Sequence, residues 1–207
     1  MSKFWIAGLL LARSTSSFAC QGNEDLYPAR TNVELIERAD LIVVGRVDWE
    51  QPATAHLSLE VGLTPLRTLK GTAPARLVLY GTTRDRSGEL VRSSPTGLHG
   101  YHPSASWGSC DRQAYAPGSL VLAAFIRRAD KFIQLGDRGV EDVGSLDDVW
   151  VRAASLYAKV VNYTAPSRRR RAFQRERELL LATTGDPDAK EIADEIAAYL
   201  KAMEREN

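Results

Sequence analysis

The fold is decided by the stretch Ala39-Asp40-Leu41-Ile42-Val43-Val44-Gly45-Arg46-Val47-Asp48. Leu41 to Val44 is an unbroken apolar run rich in β-branched residues, which lose little conformational freedom on a pleated strand. Because no polar residue alternates with these side chains, the run predicts a strand that is buried on both faces. Gly45 indicates a bulge or a sharp bend, after which only Val47 is expected to point inward.

Four further strands are predicted around this one. Alternating apolar residues over 57–63 indicate a half-buried strand that continues past Pro65 to Leu69. A turn at 70–74 leads to a strand at 77–80, and a turn at 116–118 leads to a strand at 120–126, on which residues 131–135 pair back. Five antiparallel strands of this kind are typical of a small closed or partly open β-barrel.

The segment 81–109 is polar, rich in glycine and too long for an ordinary connection. It therefore predicts a functional or mobile loop, with room for a short hairpin inside it.

Before the first barrel strand in the sequence, Thr31 is the expected N-cap of a short helix, since Glu34 follows it three residues later.

The C-terminal third has the hydrophobic period of helices. Apolar residues recur at helical spacing from Leu146 to Val160, and a second helix is expected over 167–183 with Phe173, Leu179, Leu180 and Leu181. Asp186-Pro187 is the start signal of a third helix. We therefore expect an α-helical region over residues 145–207 after a barrel domain over residues 20–140.

The N-terminus resembles a signal peptide over residues 1–19. Lys3 precedes an apolar stretch at 4–12 that is too short to span a bilayer, and Ser17-Phe18-Ala19 places small residues where a signal peptidase cleaves. Cleavage would leave Cys20 first, remove two basic residues and change the formal charge from +1 to −1. Such a charge gives no general attraction to nucleic acid or to anionic lipid.

Two other interpretations of the N-terminus stay open. One is a buried N-terminal helix, which the cluster of Arg13 and Ser/Thr residues opposes. The other is a lipoprotein signal with a lipid anchor at Cys20, although Ser17 stands where a lipid-modification site usually has Leu. The expected location is secreted or periplasmic, and no transmembrane span is expected.

The chain contains two cysteines, Cys20 and Cys110. In an oxidising compartment a single disulfide between them is the natural interpretation, and two unpaired thiols are the alternative. The disulfide would close a loop of about 90 residues, which stabilises a fold by about 4–5 kcal/mol in the chain-entropy model.

Four pieces of the chain, in order, resemble the netrin-like module shared with tissue inhibitors of metalloproteinases. They are the cysteine at the expected mature N-terminus, residues 39–47, Leu69-Lys70-Gly71, and Ser109-Cys110-Asp111 with the segment 117–122. The resemblance covers roughly residues 20–136. It implies an OB-fold barrel whose first cysteine is tied to the barrel by a disulfide, here in a single-disulfide form.

In those inhibitors, the amine and the carbonyl of the first cysteine chelate the catalytic zinc of a peptidase. The resemblance assigns that role to Cys20 and makes Cys20, Gln21 and Cys110 the candidate inhibitory ridge. An α-amino group has a pKa near 8, so that enough of it is neutral to donate a lone pair to zinc. The chain departs from the inhibitors at Gly22, where they carry a second cysteine.

Other residue patterns give no catalytic site. His99 and His102 are too few for a zinc site and are expected to be exposed, and His56 is expected on the outer face of its strand. The serines of the long loop lack a nucleophile elbow, and no phosphate-binding glycine loop is present. We therefore expect no enzyme and no cofactor.

Arg168-Arg169-Arg170-Arg171, with Arg175 and Arg177, is a basic run near the start of a helix. It is interpreted as a solvated face that Glu176 and Glu178 partly neutralise, with an acidic partner or lipid headgroups as the alternative ligands. Nucleic acid is not expected as a ligand of this run.

Two functional hypotheses follow from the sequence as a whole: a secreted, non-enzymatic protein-interaction module, or an inhibitor of a zinc metallopeptidase acting through Cys20.

Overall fold

Six strands and four helices make up the described part of the chain, in a computed structural model that covers residues 31–51, 60–85, 87–99, 112, 114–136 and 139–205. In chain order they are α1 (Asn32–Arg38), β1 (Leu41–Gln51), β2 (Glu60–Lys70), β3 (Leu77–Tyr80), β4 (Leu120–Arg128), β5 (Lys131–Gln134), β6 (Val140–Val143), α2 (Val149–Tyr163), α3 (Pro166–Ala182) and α4 (Pro187–Arg205).

β1 lies at the centre of an antiparallel sheet with the strand order β3-β2-β1-β4-β5. β6 pairs with the first half of β4, and β5 pairs with its second half. β3 and β5 meet at the far side, where the Tyr80 N–H donates a hydrogen bond of 3.3 Å to Gln134 Oε1. Five strands thus form a nearly closed barrel of OB-fold-like shape, and helices follow it, as predicted.

The side chains of β1 alternate between two hydrophobic cores. Leu41 and Val43 point into the barrel and pack with apolar side chains of the other strands. Ile42 and Val44 point to the opposite face, where the core continues into the helices. All four side chains are fully buried, which confirms the prediction of burial on both faces. Burial of one such side chain contributes about 1.5–3 kcal/mol, so β1 is a main link between barrel and helices.

Gly45 marks an irregularity in the pairing of β1 with β2, as predicted. The register shifts between Val44 and Gly45. A Cβ atom at this position would lie 2.8 Å from Leu63 Cδ1 and 2.9 Å from the carbonyl oxygen of Thr64. The close approach of β2 therefore requires a residue without a side chain.

The capping residues place the helix starts. Thr31 Oγ1 accepts a hydrogen bond of 3.2 Å from the Glu34 N–H, which confirms the predicted N-cap of α1. Asp148 caps α2 by accepting from the Trp150 N–H. The expectation that the helical face begins at Leu146 is therefore wrong, since this residue lies before the cap and is exposed.

α3 buries fewer leucines than its sequence suggests. Phe173 is fully buried and Leu180 is half-buried, whereas Leu179 and Leu181 are 55% and 48% exposed. Successive residues on a helix point about 100° apart, so three consecutive leucines cannot share one buried face.

The segment between β3 and β4 contains the short hairpin for which the sequence left room. Arg84 and Leu90 form an antiparallel bridge, and the Asp85 N–H donates to the Glu89 carbonyl oxygen at 2.8 Å. β6, by contrast, was not expected, although all four of its residues are buried.

Candidate functional site

The residues of the expected inhibitory ridge, Cys20, Gln21 and Cys110, lie outside the described residues. Their disulfide and the zinc-chelating role of the Cys20 amine therefore stay predictions. His56 and His102 also lie outside the described ranges, and His99 is exposed, as expected.

Leu69-Lys70-Gly71, one of the pieces that carry the resemblance, has a structural role. Lys70 Nζ donates hydrogen bonds to the carbonyl oxygens of Ile36 at 2.8 Å and Glu37 at 3.1 Å, which are open acceptors at the end of α1. Burial lowers the pKa of the Lys70 ammonium. Gly71 has φ of +75°, and a Cβ there would lie only 2.3 Å from the carbonyl oxygen of Asp40. The motif joins β2 to α1 and to the start of β1.

An ion pair is buried against the barrel just after Cys110 in the chain. Arg112 Nη2 lies 2.6 Å from Asp142 Oδ1 on β6, and both side chains are almost fully inaccessible to solvent. Arg112 Nε donates to the carbonyl oxygen of Ala114 at 3.0 Å, and the guanidinium lies 4.7 Å from the centroid of the Tyr115 ring. These contacts hold the chain that follows Cys110 to β6.

A polar cluster next to this pair joins the two ends of the sheet. The Tyr115 hydroxyl lies 3.2 Å from Gln134 Oε1 and 3.2 Å from the carbonyl oxygen of Arg112. Gln134 Oε1 also accepts from the Tyr80 N–H. The barrel is thus closed between β3 and β5 through a side chain instead of a continuous strand ladder.

Residues 94–98 are tied across the barrel and the helices by side chains. The Ser94 N–H donates to Asp142 Oδ2 at 2.8 Å, so this carboxylate serves both Arg112 and the segment. Trp150 Nε1 of α2 donates to the carbonyl oxygen of Thr96 at 2.7 Å. The first half of the segment is therefore fixed to β6 and α2.

The second half of this segment is fixed to α1 and α4. The Leu98 N–H donates to Glu191 Oε1 at 2.5 Å, and its carbonyl oxygen accepts from Asn32 Nδ2 at 3.2 Å. A Cβ at Gly97 would lie 2.8 Å from the same Glu191 oxygen, so the close approach of the carboxylate favours glycine there. Part of the long polar loop is thus an element of the packed structure.

A buried carboxylate links three helices. Glu195 of α4 accepts hydrogen bonds from the Asn32 N–H at 3.1 Å and from the Tyr157 hydroxyl at 2.9 Å. Burial and the charge of Glu195 raise the pKa of Tyr157 well above its ordinary value. The two hydrogen bonds to Glu195 thus join α1, α2 and α4.

A small cavity lies where the sheet meets α1 and α2. Its volume is about 20 Å³, and its lining includes Asn32, Ile42, Glu141, Trp150 and Tyr157. That volume suits a single water molecule. Asn32 Oδ1, which has no hydrogen-bond partner among the described residues, is a suitable contact for it.

The outer face of β2 and β3 presents apolar side chains to solvent. Leu77 and Leu79 point into the barrel, so Val78 and Tyr80 point outward, where they are 39% and 49% exposed. Val78 pairs in register with Gly62 and Tyr80 with Glu60. Gly62 is buried and carries no side chain beside Val78. We refer to Val78, Tyr80, Gly62 and Glu60 as the β2–β3 face.

A second exposed feature is a groove between the end of α2 and the start of α3. It has a volume of about 680 Å³, and its charged and aromatic lining residues are Lys159, Tyr163, Arg168, Arg170, Arg171, Arg175 and one acidic residue, Glu176. We call it the basic groove. It contains most of the arginine run that the sequence placed on a solvated face.

The acidic partners of that run differ from those expected. Glu176 Oε1 lies 3.8 Å from Lys159 Nζ, and neither Glu176 nor Glu178 forms an ion pair with an arginine among the described residues. Arg169 instead pairs with Glu37 of α1 at 3.2 Å, and Arg170 pairs with Glu204 of α4. These glutamates are distant in sequence, so a local reading could not identify them.

The described ranges contain no group of three or more His, Cys, Asp or Glu side chains arranged to hold a metal ion. None of the described helices has the length and apolarity needed to cross a bilayer. Comparison with known proteins found no family model that matches the chain and no curated protein that matches it by sequence.

Proposed function

We propose that this chain is a secreted, non-enzymatic protein-interaction module of the netrin-like type, which binds a partner protein through the β2–β3 face. The supporting observation is the outward orientation of Val78 and Tyr80 on a strand at the seam of the barrel. Aromatic residues are enriched in protein interfaces, where a large rigid ring adds contact area at low entropic cost.

The fold and the charges of the face agree with this use. In OB-fold barrels the surface of the second and third strands is a common ligand site, which makes the position an analogy at the level of fold. Glu60 is half-buried beside Tyr80, and Arg76 is exposed immediately before β3. Both signs of charge thus border the apolar residues, an arrangement that suits a protein surface better than a polyanion.

The test is a pair of substitutions that makes this face acidic. Val78→Asp together with Tyr80→Asp should abolish binding of the partner recovered with the wild-type protein from its extracellular or envelope fraction. The matched control is Leu179→Asp with Leu181→Asp on α3, whose side chains are similarly exposed. Equal loss of the partner in both variants, or retention in the first, would contradict the proposal.

The second candidate function is inhibition of a zinc metallopeptidase through the amine and carbonyl of Cys20. The observation in its favour is the buried pair of Arg112 with Asp142, which fixes the chain two residues after Cys110. A disulfide from Cys110 would therefore rest on a rigid base. One alanine added before Cys20 would move the amine by about 3.8 Å and should abolish inhibition without a change in stability. Equal inhibition by both forms would exclude Cys20 as the zinc ligand.

A further inference from the structure

We infer that the basic groove binds an acidic helical segment of a partner protein, whose carboxylates pair with Arg168, Arg171 and Arg175. The inference does not rest on the proposed function, because the groove is formed by α2 and α3 and the β2–β3 face by the barrel. The test of the basic groove can therefore fail while the proposal for the β2–β3 face survives, and the proposal for the β2–β3 face can fail while the inference about the groove survives.

The first argument is the division of the arginines of α3 into two sets. Arg169 and Arg170 have acidic partners on α1 and α4. Arg168, Arg171 and Arg175 are exposed and form no ion pair with any of the described residues. The helix thus pairs Arg169 and Arg170 with acidic side chains and leaves Arg168, Arg171 and Arg175 to solvent.

The second argument is spacing. Arg168, Arg171 and Arg175 stand at positions i, i+3 and i+7, which lie on one face of a helix. At a rise of about 1.5 Å per residue, the three residues span roughly 10 Å along α3. Carboxylates spaced three and four residues apart on a second helix have the same repeat, so three pairs can form at once.

The third argument is electrostatic. Like charges three and four residues apart on a helix repel each other, and positive charge near a helix N-terminus also opposes the helix dipole. Arg168 lies in the first turn of α3, and the N-cap Ala165 gives no side-chain hydrogen bond to this end. A ligand with several carboxylates would relieve the repulsion, and bidentate pairing with guanidinium groups is a strong form of hydrogen bonding.

The shape of the site favours a polypeptide over a bilayer. The arginines line a groove of about 680 Å³, whereas a lipid surface is best met by a flat or convex face with protruding apolar groups. Tyr163 at the groove is 86% exposed, and its ring offers an apolar contact beside the charges. The chain already pairs two arginines of the same run with glutamates carried on helices, which shows the contact that we propose for the partner.

The experiment uses a defined probe and a matched set of variants. The probe is a fluorescein-labelled, alanine-based helical peptide of about 18 residues with glutamates at i, i+3 and i+7, and its control carries glutamine at those positions. Anisotropy is measured at low ionic strength for the full chain and for two triple variants. One is Arg168→Gln, Arg171→Gln and Arg175→Gln. The other, Arg92→Gln, Arg127→Gln and Arg128→Gln, removes the same charge from exposed positions elsewhere.

We expect the wild-type protein and the second variant to bind the glutamate peptide at least roughly tenfold more tightly than the glutamine peptide. The groove variant should lose this preference. Equal weakening of peptide binding by both triple variants would show non-specific charge attraction and overturn the inference.

Sedimentation with vesicles of phosphatidylcholine and phosphatidylglycerol is the second experiment. Vesicle binding that only the groove variant loses, without peptide binding, would show a lipid surface instead and would also overturn it.

Discussion

Arg112 and Asp142 form an ion pair of 2.6 Å whose side chains are 1% and 0% exposed. The pair fixes the chain after Cys110 to β6, and Asp142 also accepts a hydrogen bond from the Ser94 N–H at 2.8 Å. One carboxylate thus holds two segments of the long connection against the barrel. A buried charge that loses its partner destabilises the fold, because neither water nor an opposite charge then compensates for its desolvation.

Removal of one partner of this pair should therefore destabilise the protein strongly. We expect Asp142→Asn or Arg112→Met to lower the free energy of unfolding by about 3–5 kcal/mol, measured by urea denaturation. The double variant, Arg112→Met with Asp142→Asn, should lose less than the two single losses combined, since it leaves no unpaired charge. Full additivity of the single effects would contradict a coupled pair.

Tyr157 gives a prediction on alkaline pH. Its pKa is raised by burial and by Glu195, so the folded protein keeps the phenol proton when the unfolded chain, with a pKa near 10, loses it. The stabilisation that comes from this raised pKa is fully present below about pH 10 and is lost as the pH rises above that value.

Tyr157→Phe should thus cost about 1 kcal/mol near neutral pH, for the lost hydrogen bond to Glu195. The difference in unfolding free energy between wild type and variant should then shrink above about pH 10. A constant gap for Tyr157→Phe would rule out the linkage.

Two glycines with similar backbone angles separate conformational cost from steric cost. Gly71 and Gly88 have φ of +75° and +85°, but a Cβ at Gly71 would lie 2.3 Å from the Asp40 carbonyl oxygen, whereas nothing lies within 4 Å of one at Gly88. Gly88→Ala should cost about 1 kcal/mol. Gly71→Ala should cost a further 1–3 kcal/mol or so, because the backbone must shift. Equal losses in urea denaturation would show that the approach to Asp40 is not required.

The predicted processing of the N-terminus is tested by the intact mass of the exported protein. We expect a chain that begins at Cys20, with a mass two hydrogen atoms below that of the dithiol and no thiol that reacts with a label after unfolding. An added acyl mass would favour the lipoprotein alternative. Retention of Met1 in the exported form would remove the basis for the zinc-chelating role of Cys20.

Much of the barrel could be predicted because its signals are local. Leu41 to Val44 indicate burial on both faces within four residues, and the structure uses both faces. Gly45 marks an irregular pairing because the partner strand leaves no room for a Cβ. Asp186 before Pro187 starts α4, and its carboxylate accepts from the N–H groups of Asp188 and Ala189.

The features that the sequence did not predict depend on distant residues. β6 contains Glu141 and Asp142, two acidic residues that a local pattern assigns to a surface turn. The burial of Asp142 becomes understandable only with Arg112, which lies beside it in space. The same holds for Arg169, whose partner Glu37 is on the first helix.

The proposed functional surface could be anticipated only in part. The sequence predicts the strand at 77–80. It does not predict which alternate residues point into the barrel, and the exposure of Val78 and Tyr80 follows because Leu77 and Leu79 do so. Which arginines near the basic groove are paired depends on Glu37 of α1 and Glu204 of α4, which are distant in sequence.

The central claim, that the β2–β3 face contacts a partner protein, is tested most directly by photo-crosslinking in the producing cell. A benzophenone amino acid replaces Tyr80 in one variant and Arg128, an exposed residue at the end of β4, in the other. We predict one discrete cross-linked species from position 80, absent from position 128 and abolished when Val78→Asp is added. No cross-link from position 80, or the same products from both positions, would contradict the claim.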